Sequence, residues 1–136
     1  MAARRVGYVD LKVARRAGEG ARILGALRKA GVSLLAFTGF PDTGGKAQID
    51  LVSDDIGAVR RVAAQEGWKL GPTKKGFLVQ GRDRVGAVHG DLRRLAAARI
   101  NVTAADAVAA GRGRYGMILW VKPKDYARAA KVLRAR

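Results

Sequence analysis

The chain carries one stretch twice. Its clearer copy, FLVQGRDRVGAVHGDLRRLAAARINV, runs from Phe77 to Val102, and its fainter twin, VDLKVARRAGEGARILGALRKAGVSL, from Val9 to Leu34. An offset of 68 residues superposes them without a gap, placing Leu11 on Val79, Gly18 on Gly86, Leu24 on Leu92, Leu27 on Leu95, Val32 on Ile100 and Ser33 on Asn101. Self-similarity of this length marks a duplicated domain. Each copy reads as a strand, a glycine-containing turn, an amphipathic helix and the beginning of a second strand. Function is therefore to be sought where the turn meets the helix. Units of this size lie near the limit at which hydrophobic burial alone gives marginal stability, so the two are expected to share an interface. The expected domains are 1–73 and 74–136.

In the first copy Val9, Leu11 and Val13 alternate with Asp10 and Lys12, the period of a half-buried strand. Residues 14–20 break that pattern with two glycines, after which Ile23, Leu24 and Leu27 fall on one face of a helix predicted over 19–30. Glu19 suits the positive end of the helix dipole, and Gly31 supplies a left-handed stop. Leu24 and Leu27 are expected to be buried, each contributing about 1.5–3 kcal/mol. Residues 32–38 are apolar and β-prone, residues 39–46 have the composition of a hairpin loop, and Ile49 and Leu51 alternate with Gln48 and Asp50 in the returning strand. Ser53-Asp54-Asp55 offers caps for a second helix with the stripe Ile56, Val59, Val62 and Ala63, ending near Gly67. Trp68 and Leu70 suggest a short fourth strand.

The second copy repeats the plan. Phe77 and Val79 form the strand, residues 81–86 the turn, and Val85, Val88, Leu92 and Leu95 the helix stripe. Ile100-Asn101-Val102 opens the next strand, residues 110–116 turn the chain, and residues 117–121 return. That returning strand is apolar on both faces, with Ile118 and Trp120 opposite Met117, Leu119 and Val121, which predicts either a covering second chain or a partly exposed edge. The last helix, predicted over 125–134, leaves almost no chain for a fourth strand, which is expected to be truncated or absent. The expected architecture is α+β: a ferredoxin-like βαββαβ unit repeated twice, with antiparallel sheets and helices packed on one face.

The 27 Lys and Arg residues outnumber the 11 Asp and Glu, for a net charge of +16, and the excess is uneven: +5 over residues 1–70 and +11 over residues 71–136. Such a field attracts anions of any kind, including nucleic acid, acidic metabolites and phosphate, although arginines on solvated helix faces produce the same count. With no Cys, one His and no carboxylate pair at acid/base spacing, nucleophilic and metal mechanisms lack their parts. No catalytic residue, metal or cofactor is expected. His89, one turn into the second copy's helix, reads as half-buried packing or a ligand contact. No stretch approaches the roughly 18 apolar residues of a membrane span, and the first residues lack a secretory h-region, so the expected location is cytoplasmic, away from membranes.

A duplicated βαββαβ unit whose first turn reads D-x-x-G before an amphipathic helix, and whose second strand opens on a Val/Ile-Ser/Asn step, resembles the ACT domain, and more narrowly the small stand-alone proteins built of two ACT domains in tandem. The resemblance covers about residues 6–133. It rests on Asp83, Gly86, Leu92, Leu95, Ile100 and Asn101 in the second copy and on Gly18, Leu24, Leu27, Gly31, Val32 and Ser33 in the first. Ala17 and Val85 stand where the family's turn usually has a proline, and Arg15 and Ser33 stand opposite Asp83 and Asn101.

The resemblance implies a noncatalytic regulatory role in which a small molecule, most often an amino acid, binds between paired ACT domains of a homo-oligomer, here expected to be a dimer. Carried onto this chain, the implied ligand residues are Asp83, Arg84, Val85, Gly86, Ala87 and Asn101, with Gly18, Glu19, Gly20 and Ser33 in the first copy. A helix N-terminus offers amide protons to an α-carboxylate, Asp83 offers a partner to an α-ammonium group, and Asn101 both donates and accepts. The same residues also serve as plain turn and capping residues. The rival is non-specific binding of nucleic acid or other polyanions. RNA-recognition motifs share the βαββαβ order, but Lys75-Gly76-Phe77-Leu78-Val79 places their aromatic pattern on the first strand instead of the third. With aromatics only 6% of the chain, stacking platforms are scarce, so the amino-acid sensor is the favoured expectation.

Overall fold

The computed structural model describes residues 2–136. They divide into two compact units, one of Gly7–Lys74 and one of residues 2–6 together with Lys75–Arg136. The repeat offset holds through the folded elements: β3 (Lys46–Ser53) corresponds to β6 (Arg114–Val121), and α1 (Glu19–Lys29) to α3 (Ala87–Ala97).

In the unit Gly7–Lys74, β1 (Ala2–Ala14) pairs antiparallel with β3 from Gly7↔Ser53 to Ala14↔Lys46, and β3 pairs with β2 (Ala36–Pro41). One face of this sheet buries Val9, Leu11, Val13, Ile49 and Leu51 against Ile23 and Leu27 of α1 and Val59 and Val62 of α2 (Ile56–Glu66). The expected caps form: the Asp55 carboxylate accepts from the Ala58 N–H, and Gly67 ends α2 in a left-handed conformation. Leu24 departs from expectation, at 39% exposed. Ile23 and Leu27, four residues apart, take the inward line, and a helical step of about 100° swings Leu24 to the flank. The hairpin loop is shorter than its composition suggested, because β2 continues through Pro41 and the turn is made by Gly44 and Gly45, both at positive φ. The expected strand at Trp68 and Leu70 is absent. The Trp68 N–H turns back to the Ala63 carbonyl (2.9 Å), the Gly71 N–H reaches the Asp10 carbonyl (2.9 Å), and Pro72 has no N–H with which to continue a ladder. Trp68 and Leu70 instead pack against the core.

In the other unit the strand order is β1-β4-β6-β5, with β4 (Lys74–Arg82) and β5 (Val102–Gly111) flanking β6. Phe77, Val79, Met117 and Leu119 bury against Leu95 of α3 and Leu133 of α4 (Tyr126–Leu133), which follows a 3-10 turn at Pro123–Asp125. Tyr126 stacks on Phe77 with ring centroids 4.6 Å apart. The β5–β6 hairpin closes through Arg112 and Gly113, both at positive φ, a tighter turn than residues 110–116 suggested. The position beside β4 that a fourth strand would take is filled by residues 2–6 of β1, whose Ala3 joins this unit's core. The segment after α4 adds one bridge: the Arg136 N–H donates to the Ala3 carbonyl (3.1 Å), and the Arg5 N–H donates to that of Arg136 (2.9 Å).

Two further expectations are corrected. Val85 lies outside α3 and is fully exposed, because the left-handed Gly86 starts the helix one residue later. Ile118 and Trp120 are each 5% exposed within the single chain, so no second chain is needed to cover them. The architecture is the α+β, ferredoxin-like one expected. Among the described residues no helix is long and apolar enough to cross a membrane.

Candidate functional site

The turn between β4 and α3 is held by its backbone. The Asp83 N–H donates to the Gly113 carbonyl (2.7 Å), the Ala87 N–H to that of Arg84 (3.1 Å), and the Gly90 N–H to that of Gly86 (3.0 Å). Gly86, at φ +80°, is the N-cap of α3 and supplies no side-chain acceptor. The first turn of α3 therefore has no side-chain cap, and its Ala87 and Gly90 amides bond to backbone carbonyls.

Beside this turn opens a cavity of about 780 Å³, all of whose lining residues belong to one unit. Its wall carries six arginines, Arg82, Arg84, Arg93, Arg94, Arg134 and Arg136, and one acidic side chain, Asp91. Asp91 is 4% exposed and fully engaged: the Tyr115 hydroxyl donates to Oδ2 at 2.6 Å and the Arg94 guanidinium to Oδ1 at 3.2 Å. Burial and the bond to Asp91 push the Tyr115 phenol up to about 12, so it remains a donor across the physiological range. Among the described residues, the side chains of Arg82, Arg84, Arg93, Arg134 and Arg136 take part in no hydrogen bond or ion pair within the chain. The side chains of the wall are thus mainly cationic, and its single acidic side chain is already bonded.

Of the residues expected at the second copy's site, Arg84, Gly86 and Ala87 line this cavity. Asp83 and Val85 are exposed on the turn outside its lining, and Asn101 is exposed between α3 and β5. The first copy's residues separate. Gly18, at φ +92°, caps α1 as Gly86 caps α3. Glu19 is buried and held by Arg22 (2.7 Å) and Arg16 (3.3 Å); the bond from Arg22 foremost keeps its carboxyl below the usual range. Gly20 lies beside the Phe37 ring, and Ser33 lines smaller cavities of about 330 and 390 Å³ with Gly31, Val32 and Leu34.

Sequence reasoning missed Arg82, Asp91, Arg93, Arg94, Tyr115, Arg134 and Arg136. A usable signal existed in the repeat. At the offset of 68 their counterparts are Ala14, Ile23, Gly25, Ala26, Ala47, Glu66 and Trp68, and only Arg84 has a cationic counterpart, Arg16. Arg84 apart, the charged lining of the cavity falls at positions where the two copies disagree.

Two ferredoxin-like units in one chain, each with a left-handed glycine capping its first helix, are the architecture that the ACT resemblance implies. The sequence matches no protein-family model and no curated protein. Among solved structures, protein BT0572 from Bacteroides thetaiotaomicron is similar with a TM-score of 0.79 at 14% identity, over 97% of this chain and 88% of that one. The ligand-free regulatory subunit of aspartate kinase from Thermus thermophilus is similar with a TM-score of 0.64 at 13% identity, over 98% of this chain and 95% of that one. The aspartate kinase of Clostridium acetobutylicum is similar with a TM-score of 0.61 at 15% identity, over 97% of this chain and 32% of that one. At these identities the likeness is one of fold.

Proposed function

We propose that the protein is a noncatalytic regulatory sensor and that the arginine-lined cavity at the start of α3 is its ligand site. The cavity itself carries this reading. Its size is that of a small-molecule site, and five of its guanidinium groups have no partner within the chain among the described residues. The lining holds no nucleophile next to a free base, since Tyr115 and Asp91 are committed to each other, so the arrangement binds without transforming. Its place at the first turn matches where the ACT resemblance puts a ligand, and similarity to regulatory subunits of aspartate kinase supports the regulatory role. An amino acid is the ligand class that the resemblance implies, its carboxylate meeting Arg84.

A ligand that binds only the folded state raises the melting temperature. A thermal-shift screen of the twenty amino acids and small anionic metabolites is expected to yield at least one stabiliser, with the shift lost in Arg84→Ala. Stabilisation by none of them counts against the sensor.

A further inference from the structure

We infer that the cavity takes a multiply phosphorylated small molecule in preference to a zwitterionic amino acid, an inference that rests on the cavity being the ligand site proposed above. Three observations converge on it. The first is charge. Among the lining side chains six guanidinium groups face one carboxylate that is already bonded at both oxygens, so no free acidic side chain is left to pair an α-ammonium group, and Asp83 lies outside the lining. A planar, two-pronged guanidinium fits phosphate oxygens in pairs, and several such groups around one space suit several phosphates.

The second is distribution. Arginines kept for solubility would sit on the surfaces of both copies alike, yet at the lining positions Arg82, Arg93, Arg94 and Arg134 the first copy has Ala14, Gly25, Ala26 and Glu66. The charge is gathered where one cavity needs it. The third is shape. These arginines come from β4, α3 and the segment after α4 and converge on a single concavity of about 780 Å³. The aromatic ring in the lining, Tyr115, is buried with its hydroxyl tied to Asp91, and so offers no platform for stacking the bases of a nucleic acid.

The test is calorimetric titration of the full chain with orthophosphate, pyrophosphate and inorganic triphosphate at fixed ionic strength. Binding is expected to saturate at one triphosphate per chain, with affinity rising along the series. Arg82→Ala and Arg93→Ala are each expected to weaken triphosphate by about tenfold, the worth of one charge-assisted contact. Arg93→Lys, which keeps the charge but loses the fork, should fall between Arg93→Ala and the parent. Lys29→Ala removes the same charge from the exposed end of α1 and should change affinity by less than about twofold. Unchanged melting curves for these variants separate lost binding from lost folding.

The inference is overturned if triphosphate binding does not saturate or if Lys29→Ala weakens it as much as Arg82→Ala. It is also overturned if a single-stranded oligonucleotide binds more tightly than triphosphate and depends on the same arginines. Should an amino acid bind through Arg84 while triphosphate does not, the sensor reading stands and the phosphate inference falls. Failure of every ligand removes both.

Discussion

Asp91 leaves the cavity cationic because both of its oxygens are bonded, and Tyr115 supplies one of those bonds. A buried carboxylate is costly unless its oxygens are bonded, and the phenol and Arg94 satisfy both. Tyr115→Phe removes the donor and keeps the ring, so Oδ2 is left buried and unpaired. Loss of a bond to a charged acceptor should cost about 1.5–3 kcal/mol, read from urea unfolding at neutral pH. Retained stability would show that Asp91 finds another donor. Elsewhere Asp50 stands directly across from Asp10 on paired strands, and burial first, with Asp10 adding to it, raises the Asp50 pKa above 3.8. A raised value means that the folded state holds this proton more firmly than the unfolded one does. The resulting stabilisation is complete below the unfolded pKa and is lost as pH rises through the folded value. Asp50→Asn should therefore raise the melting temperature at neutral pH and flatten its dependence in mild acid. Glu19 has the opposite sign: its lowered pKa gives stability that is present above 4.5 and lost as pH falls.

At the scale of elements, the helix boundaries are set by glycines whose conformations other residues adopt at a cost. Gly86 starts α3 at φ +80°, and a Cβ there would meet no atom within 4 Å. Gly86→Ala should thus cost only the left-handed strain, about 1–2 kcal/mol, measurable by denaturant unfolding. A much larger loss would mean that the turn itself had rearranged. Such boundaries were legible in the sequence because glycine and the apolar period act locally: Gly31, Gly67 and the stripes through Leu27, Val59 and Leu95 all stand where the pattern put them. The failures had non-local causes. Leu24 fits the helical period as well as Ile23 does, and only the packed sheet decides which turns inward. Val85 continues the stripe on paper, but the turn at Gly86 removes it from the helix. The turn of the candidate site was visible, whereas its arginines were not. Arg82, Arg93 and Arg134 are far apart in sequence, each indistinguishable from an arginine on a solvated face until folding brings them to one wall.

For the whole molecule, the decisive fact is that residues 2–6 belong with Lys75–Arg136. Sequence order assigned them to the first copy, because nothing local marks a change of unit. Ala3 lies in the core with Phe77, Leu95 and Leu119, and both Ala2 and Ala3 line the cavity. The Arg136 backbone bonds to Ala3 and Arg5 on the same side. Removing residues 2–6 behind a retained initiator Met should open the strand position beside β4, while residues 7–14 keep their pairing with β3. Hydrogen exchange should then accelerate in β4, β6 and α3 and stay near its original rate in β3 and α2, since local stability follows the packing that each segment retains. Triphosphate binding should weaken in parallel, because Arg134 and Arg136 lose the strand that fixes one side of the wall. Equal acceleration in both units, or none, would contradict the assignment of residues 2–6. Exchange that changes as expected with triphosphate binding intact would show that the cavity closes without them.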